Sequence, residues 1–315
     1  MIRILFVSDI HGSERCFKKF LNAAIIYKAN IAMLSGDITS KMIVPIVKQP
    51  NDVYTAEYLG GKYTIKNEHE IETLKERIRY IGYIPYVTDY KEMEELQLNQ
   101  ERIDALFKEL IINDLKRWLK LAEERLMNRG IKCFIMPGND DIFEIDAVIE
   151  ESDYVVNPEG KCIHINEEHE MISTGYANIT PWKCPRDIPE EELEKKIEAM
   201  TLKVDCMENC IFNFHCPPYA SGLDDAPKLD DKLKPIVKGG QIVMAPAGSI
   251  AVRKAIEKYQ PLLGLHGHIH ESRMARKIGR TLCINPGSEY SEGILRGALI
   301  NLDKGEIKSY QFISG

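Results

Sequence analysis

The sequence predicts an α/β protein, because short apolar runs of strand-like composition alternate with longer segments of helical periodicity. Five such runs occur, at residues 2–7, 31–34, 133–136, 211–214 and 262–265. Each is followed within a few residues by an aspartate, an asparagine or a histidine. Because sites in open α/β sheets lie beyond the carboxyl ends of the strands, we expect these polar residues to share one site.

The segment between the second and third runs is far longer than a strand-to-strand crossover requires, which indicates an insertion. We therefore expect one domain over residues 1–315, with a mainly helical insertion at about residues 41–130. Within the insertion, residues 53–65 alternate polar and apolar around Gly60-Gly61 and predict a hairpin. Residues 68–83 predict a helix. Residues 100–129 predict one long amphipathic helix whose apolar stripe packs on the sheet core or makes a subunit contact.

The C-terminal third has further signals of both kinds. Residues 249–259 predict a helix with Ser249 as its N-cap. Residues 274–284 and 297–312 alternate as antiparallel strands. The loop after His215, which contains Pro217 and Pro218, is long enough to shape the entrance of a site, although ordinary turns explain its composition equally well.

Composition narrows the class of protein. The net charge of −7 is unfavourable for broad nucleic-acid binding, which depends on lysine and arginine. The 8 cysteines show no CxxC pair, so we expect free thiols in a reducing compartment. Since no signal peptide is recognisable and no apolar run approaches 18 residues, we expect a cytoplasmic protein without a membrane partner.

Two pairs of polar residues have a spacing that suits metal binding. Asp9 and His11, like His268 and His270, are two positions apart, so in extended backbone both side chains of a pair leave the same face. Carboxylate, amide and imidazole donors suit Mn, Fe or Zn better than a thiolate-seeking metal. Two carboxylates against two divalent cations leave a positive site, for which phosphate is a natural guest. Glycines flank these residues and allow close backbone approach, namely Gly12, Gly36, Gly138 and Gly267.

Taken together and in this order, the polar segments resemble the five motifs of the calcineurin-like metallophosphoesterase superfamily. They are Asp9-Ile10-His11, Gly36-Asp37, Gly138-Asn139-Asp140, His215 and Gly267-His268-Ile269-His270. The resemblance runs from residue 1 to about residue 290. Its C-terminal part is particularly similar to small prokaryotic members, with Gly248-Ser249, Arg253, residues 266–271 and residues 285–288.

The resemblance implies a fold, a metal centre and an activity. The fold would be a four-layer αββα sandwich, in which two mixed β-sheets are flanked by helices. Two divalent metal ions would be bound, drawn from Mn, Fe, Zn or Ni, with Mn favoured. One would be held by Asp9, His11, Asp37 and His270 and the other by Asp37, Asn139, His215 and His268, so that Asp37 bridges them.

The implied activity is hydrolysis of a small phosphate ester. A metal-bound hydroxide would attack the phosphorus of a phosphodiester or a nucleotide-like phosphate ester. A phosphomonoesterase and a non-catalytic metal-binding scaffold are the alternatives, and turnover of an aryl phosphate ester discriminates between enzyme and scaffold. A DNA nuclease would require a basic groove that the net charge of −7 does not indicate.

One position departs from the family pattern. The family has Gly-Asn-His-Asp/Glu, and its histidine protonates the leaving group, whereas this chain has Gly138-Asn139-Asp140-Asp141. An aspartate with a pKa of about 3.9 is a poor proton donor at neutral pH, so good leaving groups, and hence diesters, are favoured. We take Asn139, Asp140 and His215 as catalytic candidates, with Asp140 as acid or tuner of the metal site. Asp141 could orient His11 or another ligand, and His266 could either support a ligand from behind or replace the acid.

Overall fold

The computed structural model describes residues 1–50 and 52–315. The helices of these residues, in chain order, are α1 (Glu14–Ile26), α2 (Glu68–Tyr80), α3 (Tyr90–Gln97), α4 (Gln100–Leu126), α5 (Ile145–Glu150), α6 (Glu190–Thr201) and α7 (Ile250–Tyr259).

The strands of the N-terminal half are β1 (Ile2–Val7), β2 (Ile31–Ser35), β3 (Ile43–Lys48), β4 (Tyr54–Tyr58), β5 (Gly61–Ile65), β6 (Ile84–Asp89), β7 (Lys132–Met136), β8 (Cys162–His164), β9 (Glu170–Thr174) and β10 (Ala177–Asn178). Those of the C-terminal half are β11 (Asp187–Ile188), β12 (Ile211–Phe214), β13 (Asp225–Pro227), β14 (Val237–Lys238), β15 (Gln241–Ile242), β16 (Met244–Pro246), β17 (Leu263–Leu265), β18 (Met274–Ile278), β19 (Thr281–Asn285), β20 (Arg296–Asp303) and β21 (Glu306–Ser314).

Two mixed sheets form the centre of the fold. The first has the order β21-β20-β1-β2-β7. In it β1, β2 and β7 are parallel, β20 is antiparallel to β1, and β21 is antiparallel to β20. The second has the order β18-β19-β17-β12-β9-β8, with four parallel central strands and an antiparallel strand at each edge. All five predicted apolar runs lie in the parallel parts, so within each sheet their carboxyl ends point to the same edge of that sheet.

Three apolar clusters separate four layers. Between the sheets, Ile4, Phe6 and Met33 of the first sheet pack with Ile211 and Leu263 of the second. A second cluster lies between the first sheet and α1, α4 and α5, and a third lies between the second sheet and α6 and α7. The structure is thus the predicted αββα sandwich. Burial of both faces explains why the central strands read as continuous apolar runs.

The segment at residues 41–130 combines helices with a sheet of its own. The predicted hairpin is confirmed as β4 and β5, but it belongs to a four-stranded sheet with the order β5-β4-β3-β6. Strands β3 and β6 pair in parallel and were not predicted. The predicted helix at residues 68–83 ends at Tyr80 because Gly82, at φ +95°, turns the chain into β6.

The long helix α4 is confirmed, and its apolar stripe packs inward. Ile111, Leu115 and Leu126 are buried in the cluster under the first sheet. The ring of Trp118 stacks on that of Phe17 of α1, with centroids 4.4 Å apart and an interplanar angle of 6°. The 8 cysteines are free thiols. Among the described residues, no helix is long and apolar enough to cross a membrane.

Candidate metal centre

The seven predicted ligands come together at the carboxyl ends of β1, β2, β7, β12 and β17. Asp9, His11, Asp37, Asn139 and His215 are each at most 5% exposed. His268 and His270 are partly exposed and face the opening. Two groups of three residues have donor atoms that all lie within 4.8 Å of one another, namely Asp9, His11 and His270, and Asp37, His215 and His268.

Asp37 lies between the two groups. Its Oδ1 is 3.4 Å from Nε2 of His215, and its Oδ2 is 3.6 Å from Nε2 of His11. Nε2 of His11 in turn lies 3.1 Å from Nε2 of His270. Each carboxylate oxygen therefore faces a different half of the cluster, which is the geometry of a carboxylate that can bridge two cations.

Asp9 joins the first and last segments of the cluster. The backbone N–H of His268 donates to both of its oxygens, at 3.1 and 3.0 Å. Its Oδ1 is also 3.5 Å from Nε2 of His270 and 3.9 Å from Nε2 of His215. Residues 9 and 268, far apart in sequence, are thus held together by backbone and side chain.

Asn139 has a defined amide orientation. Its Nδ2 donates to Oδ1 of Asp187 at 2.9 Å, while its buried Oδ1 has no hydrogen-bond partner. Asp187 is itself fixed because its Oδ2 accepts from the backbone N–H groups of Thr180 and Cys184, each at 2.9 Å. The orphaned carbonyl oxygen of Asn139 is therefore free to coordinate a cation. The sequence analysis missed Asp187, since only the folded loop brings it to Asn139.

Several imidazole nitrogens are also buried without a partner: Nδ1 of His11 and both ring nitrogens of His215. Unpartnered buried polar atoms are rare in folded proteins and call for an explanation such as a bound ion. Oxygen and nitrogen donors that converge on one place fit divalent transition metals. By its donor chemistry the residue set therefore fits the metal ions that the sequence resemblance implies.

Burial and charge set the ionisation of the cluster. Burial lowers the pKa of His11 to about 3 and that of His268 to about 4, so both imidazoles are neutral, which is the form that coordinates metals. Burial alone would lower the pKa of His215, but Asp37 and Asp9 raise it to about 9. The proton of His215 and a cation would compete for the same carboxylates.

The backbone of the cluster is strained. Asp9, His11, Asp37 and His268 have φ angles of 56°, 40°, 49° and 67°. The left-handed region disfavours residues with a side chain, and such strain is concentrated at functional sites. Close approach adds a second constraint, because a Cβ on Gly36 would lie 1.9 Å from Nδ1 of His215. This confirms the prediction that a flanking glycine admits a ligand.

Of the two roles considered for Asp141, the contacts favour support of ligands other than His11. Its carboxylate accepts from the backbone N–H groups of Ile38, Thr39 and Gly138, at 3.0, 2.9 and 2.7 Å. It does not orient His11. Instead it ties the loop that carries Asp37 to the loop that carries Asn139. The same carboxyl group is hard to ionise, because burial and the charge of Asp37 raise the pKa of Asp141 to about 6.

Asp140 lies at the rim, where it is paired with a lysine that the sequence analysis did not consider. Its Oδ2 is 2.7 Å from Nζ of Lys41 and 3.8 Å from Nδ1 of His11. Its backbone N–H donates to Oδ1 of Asp37 at 3.0 Å. No motif marks Lys41 in the sequence, and only its position four residues after Asp37 could have suggested it.

His266 does not line the centre. It is completely buried, and its Nδ1 lies 2.8 Å from the carbonyl oxygen of Phe214 and 3.2 Å from that of Cys216. It therefore supports the backbone on both sides of His215, and the idea that it replaces the acid is not favoured. Tyr290, which no sequence motif indicated, packs against His11 with ring centroids 4.6 Å apart and an interplanar angle of 48°.

Comparison with known proteins places the chain in a family. No protein-family model matches it. The uncharacterized protein MJ1162 of Methanocaldococcus jannaschii is 30% identical over 169 residues, which cover 53% of this chain and 67% of that protein. The structure of TT1561 from Thermus thermophilus matches with a TM-score of 0.55 at 16% identity, over 100% of this chain and 98% of that one, which supports the fold alone.

A structure described as a novel archaeal phosphodiesterase is a much weaker match, with a TM-score of 0.25 and 15% identity over 62% of this chain and 90% of that chain. That similarity is too low to support an assignment. The identity to MJ1162 and the share of it that is covered are sufficient, and the chain belongs to the same protein family as MJ1162 of Methanocaldococcus jannaschii.

Proposed function

We propose that the chain is a dinuclear metal-dependent phosphoric ester hydrolase of the calcineurin-like type, which acts on phosphodiesters or nucleotide-like phosphate esters. The observation that supports this most is the convergence of Asp9, Asp37 and four histidines at one edge of the sandwich. Sequence motifs, strained backbone and orphaned donor atoms at the same place all support it.

In this proposal Asp9, His11, Asp37 and His270 hold one cation, and Asp37, Asn139, His215 and His268 hold the other. Two divalent cations held together lower the pKa of a shared water and balance charge on phosphoryl oxygens during in-line displacement. We favour Mn, and Fe, Zn and Ni suit the same donors.

The chain's own residues would prepare the site for this chemistry. Asp37 would offer one oxygen to each half, and Asp141 ties the backbone that follows Asp37 to that of Gly138. Asp187 turns the oxygen of Asn139 inward. Buried surroundings exclude competing water and strengthen every charge interaction within the site.

The preference for diesters rests on the rim. In the position of the family's histidine, Asp140 is paired with Lys41 at 2.7 Å and presents no imidazole. General acid catalysis is worth roughly 10²–10⁴-fold where the leaving group needs a proton. The best substrates should therefore be esters whose leaving groups depart as stable anions.

The test is hydrolysis of a bis-aryl phosphate and an aryl phosphate monoester by Mn-reconstituted protein, with and without chelator. We expect chelator-sensitive turnover, faster on the diester, which His268→Ala abolishes. His69→Ala is the matched control because His69 is exposed on α2. Preference for the monoester would make the chain a phosphomonoesterase. Two bound metals without turnover above the His268→Ala background would make it a scaffold.

A further inference from the structure

Lys41 projects a cation over the rim of the candidate metal centre. Its Nζ is held 2.7 Å from Oδ2 of Asp140, and its side chain is 45% exposed while that of Asp140 is 26% exposed. Asp140 is anchored in turn, because its backbone N–H donates to Asp37 and its Oδ1 lies 3.6 Å from Sγ of Cys184. The ammonium therefore has a fixed place at the opening.

The ammonium of Lys41 lies beside the centre, because its partner oxygen, Oδ2 of Asp140, is 3.8 Å from Nδ1 of His11. In the described part of the chain, Lys41 is the one lysine or arginine within 4.0 Å of a carboxylate of Asp9, Asp37 or Asp140.

A stabilising role does not explain this pair well. Partly exposed ion pairs contribute about 0–1 kcal/mol to stability, and holding a lysine in one place costs side-chain entropy. An ammonium has three N–H donors. Within residues 1–50 and 52–315, Asp140 is the one carboxylate within 4.0 Å of Nζ of Lys41, and the side chain of Lys41 is 45% exposed, so N–H donors of the ammonium remain available to a ligand.

We propose that Lys41 is a substrate-binding residue, whose ammonium, positioned by Asp140, donates a charge-assisted hydrogen bond to a phosphoryl oxygen of the ester bound at the centre. The inference rests on the proposed function. Lysine serves phosphates as a compact point charge, and hydrogen bonds between ionised partners are the stronger ones. The ammonium of Lys41 would add its charge to that of the cations that the predicted ligands would hold.

The test compares Lys41→Gln and Lys41→Arg with Lys48→Gln in the Mn-reconstituted protein. Lys48 is a matched control, since it is 47% exposed and pairs with Asp52 at 3.0 Å, on β3. Three quantities are measured: metal content, the Kd of inorganic phosphate by calorimetry, and KM and kcat for a bis-aryl phosphate.

We expect Lys41→Gln to raise the Kd of phosphate and KM roughly tenfold, as for the loss of one charged hydrogen bond, with kcat changed less and metal content unchanged. Lys41→Arg should restore most of the affinity, and Lys48→Gln should behave as the parent. An unchanged phosphate Kd in Lys41→Gln, or a parent protein that does not bind phosphate, would overturn the inference.

Loss of metal in Lys41→Gln would overturn it as well, because Lys41 would then act on the assembly of the centre. The calorimetric readout separates this inference from the proposed activity. Weaker phosphate binding in Lys41→Gln in a protein that hydrolyses no ester supports the role of Lys41 while the activity fails. Ester hydrolysis with the same KM, kcat and phosphate Kd in the parent protein and in Lys41→Gln would support the proposed activity and overturn the role of Lys41.

Discussion

Asp37 is the residue on which both halves of the centre depend. Its two oxygens face His215 and His11, at 3.4 and 3.6 Å, and its own backbone is held at a φ of 49°. A single formal charge would thus serve both proposed cations, and no neighbouring carboxylate among the described residues makes both contacts.

We therefore predict that Asp37→Asn lowers metal content more than any other single ligand substitution. The reason is that the amide keeps the shape but removes the charge from both sites at once. Elemental analysis after dialysis should find fewer than one metal per chain, and ester hydrolysis should fall by more than the roughly 10–100-fold that is typical when a residue that only orients a ligand is replaced. Asp231→Asn, on the exposed surface, is the control. Full metal occupancy in Asp37→Asn would contradict the bridging role.

Substitutions of Asp140 can show whether it donates a proton to the leaving group or only positions its neighbours. Since it is paired with Lys41, we predict that Asp140→Asn keeps activity on aryl diesters within about tenfold, whereas Asp140→His raises activity on alkyl esters, which need a proton at the leaving group. Rates on a series of leaving groups, with metal content measured in parallel, check this. A larger loss for Asp140→Asn on aryl esters, at constant metal content, would show that the aspartate itself takes part in the chemistry.

At the scale of elements, the turn between α2 and β6 packs against the loop that carries His11. Ser13 Oγ donates to the carbonyl oxygen of Tyr80 at 2.6 Å, and Ser40 Oγ donates to that of Gly82 at 2.5 Å. A Cβ on Gly82 would lie 2.1 Å from the carbonyl oxygen of His11. The segment at residues 41–130 thus supports the loop that carries His11.

This contact gives a prediction for Gly82→Ala. It should weaken metal binding roughly tenfold, because the methyl group displaces the backbone of His11, in addition to the roughly 1 kcal/mol that a side chain costs at positive φ. Gly60→Ala is the matched control, as its φ of 74° imposes the same strain and nothing lies within 4 Å of the new Cβ. Equal metal affinity in the two variants would show that the contact with His11 is not needed.

Helix α4 depends on its contact with α1. Trp118 is 4% exposed and stacks on Phe17. We predict that Trp118→Ala lowers the free energy of unfolding by about 3–5 kcal/mol, as for other large buried aromatics. Trp182→Ala should change it little, because Trp182 is 65% exposed. Urea denaturation of the three proteins checks this, and similar losses in both variants would mean that the interface of α4 with α1 is not part of the stable core.

Across the whole molecule, the sequence predicted those features that depend on a few neighbouring residues. The strand-end ligands, the hairpin, the long helix and the Ser249 cap are visible in a few neighbouring residues, and Ser249 Oγ does accept from the N–H of Val252. Pairing between distant segments was not visible. Strands β3 and β6 each contain a proline, Pro45 and Pro85, which weakens the strand signal, and their parallel register is set by the core beneath them.

The same limit applies to the site. The seven ligands were implied by five motifs that each follow a strand, whereas the roles of Lys41, Asp141, Asp187 and Tyr290 arise only when separate loops meet. Glu190 makes the point again. It lies in an acidic run at the start of α6, which is typical of a solvated helix face, but its carboxylate accepts from Ser249 Oγ and from the N–H groups of Ile250 and Ala251, and so it caps α7.

In the proposed function, the loops that follow β1, β2, β7, β12 and β17 assemble one centre for two cations. The most direct measurement is the metal content of the parent protein after reconstitution with Mn and dialysis, by elemental analysis against protein concentration. We expect two metal ions per chain in the parent protein, and we expect both to be lost together in Asp37→Asn. One ion or none in the reconstituted parent protein would contradict it.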